Sequence, residues 1–111
     1  MTARCLLFAC SIIAVASATP AAIADTAIAT KWRQMQLDQD NCMSYARLAI
    51  FRTGFEKADP GSQTMSGKKG NYTASIRCLA EQRVIFFVVA GPDAGTVSGY
   101  LTTLYGQFGM M

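Results

Sequence analysis

The sequence predicts an α+β fold: a small antiparallel sheet of about four strands with two helices packed on one face, in the order β-α-β-β-β-α. Three observations predict it. Val84 to Ala90 (VIFFVVA) is the most apolar stretch after the N-terminal region and has the length of a central strand. Tyr72 to Leu79 (YTASIRCL) alternates, with Tyr72, Ala74, Ile76 and Cys78 facing one way and Thr73, Ser75 and Arg77 the other. After Pro92, the residues Val97, Leu101, Leu104 and Phe108 recur at helical spacing and give an apolar stripe for the sheet.

Taken in order, residues 1–24 read as an export signal. Arg4 supplies a basic start, Cys5 to Ala18 is an unbroken run of apolar or small residues, and Ala22-Ile23-Ala24 places small side chains at the −3 and −1 positions. Cleavage between Ala24 and Asp25 leaves residues 25–111 as one small domain. The apolar run is short of the roughly twenty residues a spanning helix needs, so no stable membrane insertion follows cleavage. A lipoprotein cut at Cys10 is disfavoured by the bulky Phe8 and by the short apolar run ahead of it. The Ala-rich leader has a bacterial style, which places the mature chain in the periplasm or the medium.

Residues 25–30 (DTAIAT) read as a loose lead-in and Trp32 to Leu37 as a short strand, with Met35 and Leu37 on one side. Asp38 or Asp40 then caps a helix that buries Cys42, Ala46, Ala49 and Ile50 and stops at Gly54. A single long helix over residues 31–53 is the competing reading. Lys57 to Gly61 (KADPG) reads as a turn, Gln63 to Ser66 as a short polar strand, and Gly67 to Asn71 as a hairpin connection. Glu81-Gln82-Arg83 is the next turn, and Pro92 or Asp93 opens the last helix. The small residues Gly95, Gly99, Thr103 and Gly106 on that helix suggest close packing against the sheet.

The chain carries a net charge of +3 from 10 Lys and Arg against 7 Asp and Glu, and loss of Arg4 with the signal lowers the positive excess by one. So weak and scattered an excess excludes the clustered basic face of a nucleic-acid binder. A domain this small is marginal on its apolar core alone. The mature chain has two cysteines, Cys42 and Cys78, and an oxidising compartment favours their pairing. The closed loop of about 37 residues is worth roughly 3–4 kcal/mol in the chain-entropy model.

The cysteine that starts the first helix, the stretch Gly70-Asn71-Tyr72-Thr73-Ala74-Ser75-Ile76-Arg77-Cys78 and the stretch Phe86-Phe87-Val88-Val89-Ala90-Gly91 resemble small exported bacterial proteins of uncharacterised function. The resemblance covers most of the mature chain and implies the α+β fold. It transfers no activity and no functional residues.

Candidate chemistry is sparse. The chain has no histidine, which removes the commonest general base and the usual imidazole metal ligand. Pairing of Cys42 with Cys78 leaves no thiolate. No catalytic residue, metal or cofactor is expected. Asp38 and Asp40 suit a helix cap better than an EF-hand, whose sixth and twelfth positions fall on Met43 and Ala49. Lys68 and Lys69, flanked by Gly67 and Gly70, form a possible anion contact but lack phosphate-loop spacing.

The strongest functional feature is the second face of the sheet. Two helices cover one face, whereas Val84 to Ala90 offers large apolar side chains to both. Ile85, Phe87 and Val89 (or, in the other register, Phe86 and Val88) are expected on the open side beside Thr73, Ser75 and Arg77. A homodimer stacked sheet on sheet, an unknown protein or small-molecule partner, or the lead-in around Trp32 folding back are the candidate covers. The expected function is thus an exported, non-enzymatic binding or assembly domain. The alternative is a small periplasmic enzyme or enzyme inhibitor using Lys68, Lys69, Arg77 and a carboxylate.

Overall fold

The computed structural model describes residues 26–109. The export signal expected over residues 1–24 lies outside the described residues. The elements are β1 (Ala27–Gln34), α1 (Gln39–Arg52), β2 (Glu56–Pro60), β3 (Thr64–Lys69), β4 (Tyr72–Leu79), a 3-10 turn (Ala80–Gln82), β5 (Val84–Gly91) and α2 (Ala94–Gln107). All strands are antiparallel in one open sheet of order β1-β5-β4-β3-β2. Both helices pack on the same face, α1 over β3 and β4 and α2 over β1 and β5. The fold is α+β as the sequence predicts, with five strands rather than about four.

The extra strand is β2. Pro60 and Gly61 argue for a turn, yet Asp59 and Pro60 pair with Ser66 and Met65 across an irregular register. An edge strand tolerates proline, because an N–H on the outer side has no ladder partner to lose. The lead-in also proves to be structure. β1 starts at Ala27 and pairs without interruption with β5, from Ala27 opposite Gly91 to Gln34 opposite Val84. Ala27 and Ala29 are half-buried beneath α2, so their small size reflects close packing rather than disorder. The strand ends at Gln34, before the expected Leu37, and Met35 turns into the core.

Strand followed by helix is therefore the arrangement over residues 31–53. Asp38 caps α1 by accepting from the Asn41 N–H at 2.8 Å, and Cys42, Ala46, Ala49 and Ile50 are its buried residues. Gly54, at φ +96°, ends it in a conformation that suits glycine. Asp93 caps α2, accepting from the Thr96 N–H at 2.8 Å and the Thr96 hydroxyl at 2.7 Å. Val97, Leu101, Leu104 and Phe108 are all buried. Gly95, Gly99, Thr103 and Gly106 are exposed and face away from the sheet, contrary to the packing expected of them.

The core closes on Phe87, whose ring lies 5.0 Å from that of Tyr105 and 5.5 Å from that of Phe108. The Cys42–Cys78 disulfide joins the start of α1 to β4. Gln39 ties the same corner: its amide N–H donates to the Cys78 carbonyl at 2.9 Å and its carbonyl accepts from the Ala80 N–H at 3.1 Å. Arg33 holds the far end of α2, donating to the Phe108 carbonyl at 3.1 Å while its guanidinium lies 4.7 Å from the centre of the Tyr105 ring.

β3 runs to Lys69, so the hairpin connection expected over Gly67 to Asn71 shrinks to the two residues Gly70 and Asn71. Gly67 sits within the strand because α1 comes down on it: a Cβ there would lie 2.7 Å from Ile50 Cγ2. The turn expected at residues 81–83 is the 3-10 turn, closed by Arg83 in the left-handed region at φ 57°.

Candidate functional site: the open face of the sheet

Strand registers place the open-face side chains in rows. One row runs Trp32, Phe86, Arg77, Thr64 across β1, β5, β4 and β3. The next runs Thr30, Val88, Ser75, Ser66 and reaches Asp59 on β2. A third runs Ile28, Ala90, Thr73, Lys68, Glu56. Adjacent strands lie about 4.8 Å apart, so neighbours within a row are in side-chain contact range.

The rows divide the face into two halves. The β1 and β5 half is apolar, with Ile28 67% exposed, Trp32 58% and Phe86 40%. The β4 and β3 half is polar. There the Ser66 and Ser75 hydroxyls share a hydrogen bond at 3.0 Å, and the Arg77 guanidinium donates to the Thr64 hydroxyl at 3.2 Å and to the Gln63 side-chain amide oxygen Oε1 at 3.0 Å. Both hydrogen-bond partners of Arg77 are neutral, so among the described residues its charge stands without a carboxylate in contact beside the aromatic pair.

Of the residues expected on this face, Thr73, Ser75 and Arg77 are there. Ile85, Phe87 and Val89 are not: each is at most 1% exposed on the helix-covered side. Cys78, opposite Ile85, faces the core to reach Cys42, and the alternation that follows sends Phe86 and Val88 outward. Trp32 and Ile28 join the site because the lead-in is the edge strand beside β5. That placement also disposes of the lead-in as a cover folded over the face.

Lys68 and Lys69 do not converge on an anion. As successive strand residues they point to opposite sides: Lys68 is exposed in the third row, whereas the Lys69 amine lies 5.2 Å from the centre of the Tyr100 ring on the helix side. Lys69 therefore stands apart from Lys68 and Arg77, which share the open face. Among the described residues, no group of three or more Cys, Asp or Glu is placed to hold a metal ion, and no helix is long and apolar enough to cross a membrane. Asp93 has its carboxyl held below the ordinary value by the Thr96 hydroxyl and N–H, which is the signature of a helix cap. Away from this face, an open groove of about 780 Å³ between α1 and the start of β2 is lined by Leu48, Phe55, Glu56 and the 73%-exposed Phe51. No protein-family model and no curated protein matches the chain.

Proposed function

We propose that the protein is an exported, non-enzymatic binding domain that acts through the apolar half of its open sheet face. One observation carries the reading: among the described residues, three of the four exposed large apolar side chains, Ile28, Trp32 and Phe86, lie together on this face. Phe86 and Trp32 stand side by side, with Val88 in the next row and Ile28 in the one beyond; an exposed apolar strip of this kind marks a contact surface, whereas scattered single residues do not. Arg77 and the serine and threonine rows beside it supply the polar rim that specific interfaces have. Export is supported by the N-terminal pattern and by the disulfide, which persists only under oxidising conditions. The test is to purify the mature protein from its compartment, identify what co-elutes, and repeat with Phe86→Lys and Val88→Lys. Both variants are expected to keep the fold and lose the partner. An unchanged set of partners would overturn the reading.

A further inference from the structure

The two edges of the sheet are built differently. β2 is short, contains Pro60, and breaks register with β3 between Glu56 and Asp59. Those are the devices that keep an edge from recruiting another strand. β1 lacks all three, being 8 residues long, free of proline and in unbroken register with β5; the edge device it does carry is charge, in Lys31 and Arg33, and both side chains are folded onto Tyr105. The direction of its free backbone groups follows from one hydrogen bond. Met35 N–H donates to the Arg83 carbonyl at 3.0 Å, one position beyond the β1–β5 ladder. Bonded and non-bonded pairs alternate along an antiparallel ladder. Arg33, Lys31, Ala29 and Ala27 therefore bond to β5, and the N–H and C=O groups of Ile28, Thr30, Trp32 and Gln34 point off the edge.

We propose that two copies of the chain pair through β1, antiparallel and about a two-fold axis at Thr30, to form one continuous sheet. Only two such registers overlap the strands almost fully, and they differ in what they oppose. With Lys31 on the axis, the two lysines face each other and Ile28 meets the partner's Gln34. With Thr30 on the axis, Ile28 meets the partner's Trp32, Lys31 meets the partner's Ala29, and Arg33 meets the partner's Ala27. The second register joins apolar to apolar and sets each cation against an alanine, whereas directly opposed like charges destabilise a pair. It also matches the outward backbone groups, giving about six interchain hydrogen bonds from Ile28, Thr30 and Trp32. The cations leave the edge clear, since the Lys31 amine and the Arg33 guanidinium lie 4.3 and 4.7 Å from the Tyr105 ring centre. In the dimer, the row through Phe86 and Trp32 continues into the partner's Ile28 and the partner's Ala90, so the apolar strip becomes one two-fold surface. The inference goes beyond the face-binding reading: it names a second copy as the edge partner and leaves the face free.

The test measures the mass of the mature protein in solution by light scattering. Wild type is expected at twice the chain mass and Thr30→Pro at one, with an unchanged circular dichroism spectrum, since among the described residues that N–H points off the edge with no partner. Thr30→Cys is expected to give a covalent dimer under oxidising conditions, and Thr64→Cys on β3 is not. Phe86→Lys is expected to remain dimeric. A monomeric wild type, or a folded Thr30→Pro variant that stays dimeric, overturns the proposal. If Phe86→Lys breaks the dimer and Thr30→Pro does not, the copies stack face on face: the edge fails and the face reading stands. Should the proline variant not fold, the cysteine cross-link decides, its absence counting against the edge.

Discussion

Phe86 and Phe87 are neighbours in sequence and opposites in the fold, and substituting each in turn tests the face assignment. Phe87 is 0% exposed, with Tyr105 and Phe108 packed on it. Phe87→Ala removes the ring and leaves a closed cavity, at a cost of about 3–5 kcal/mol. That is a large part of the roughly 5–15 kcal/mol that holds a domain together. Phe86 is 40% exposed, so Phe86→Ala opens no cavity and loses only part of its transfer energy and its cross-strand contact with Trp32, about 1 kcal/mol. Urea unfolding followed by circular dichroism measures both. At a slope of about 1–2 kcal/mol per molar, the Phe87 variant should lose roughly 1.5–5 M of midpoint or fail to fold, and the Phe86 variant about 1 M at most. Binding should show the reverse order, lost with Phe86→Lys at nearly full stability. Equal costs at the two positions, or a larger cost at Phe86, would refute the assignment of faces.

The disulfide closes a loop of about 37 residues, so Cys42→Ala with Cys78→Ala should lower stability by about 4 kcal/mol; an unchanged urea midpoint would contradict this. Gly67→Ala drives a methyl to 2.7 Å from Ile50 Cγ2 and 3.2 Å from the Glu56 carbonyl, and the overpacking should cost about 1–3 kcal/mol in thermal unfolding; an unchanged melting temperature would show that α1 can lift away freely. Asp93 is held below its ordinary value of 3.8, so its stabilising effect is complete above that value and lost as pH falls through the lowered one. Asp93→Asn should therefore flatten the acid limb of the stability profile, read from urea midpoints at neutral pH and below pH 4, and an acid limb as steep as wild type would remove Asp93 as its source.

The parts of the fold legible in the sequence are those where one physical signal acts alone. The buried stripes of both helices and the two faces of β4 follow from periodicity, and the cysteine pair from compartment and count. β1 and β2 escape because their strand character comes from their neighbours. Ala27 and Ala29 have little strand preference but fit beneath α2, and Asp59 and Pro60 are turn residues that an edge position accepts. The faces of β5 were within reach. Cys78 must face the core to pair with Cys42, and a four-residue connection over residues 80–83 sets Leu79 opposite Val84, hence Cys78 opposite Ile85. That places Ile85, Phe87 and Val89 inside and Phe86 and Val88 outside. Hydrophobicity alone does not separate the two sets, because VIFFVVA is apolar on both faces.

Exposed aromatic surface and an unprotected strand edge are separate hazards, each able to drive aggregation. In this sheet both fall on the β1 and β5 side. The opposite side combines a polar face with a short, bulged, proline-bearing edge. If the apolar residues merely spilled over from a crowded core, nothing would tie them to the one edge that, among the described residues, has neither a proline nor a break in register. Their coincidence is accounted for if a single association covers the edge main chain and brings the two apolar strips together. Trp32 is the residue on which the two features meet: its backbone points off the edge while its side chain stands in the row with Phe86. Trp32→Ala leaves the edge main chain intact while removing the largest apolar side chain from the strip, so it should abolish partner binding at the face and weaken the dimer without eliminating it. Loss of neither, at full stability, would separate the edge from the face and leave the pairing of the two features without a cause.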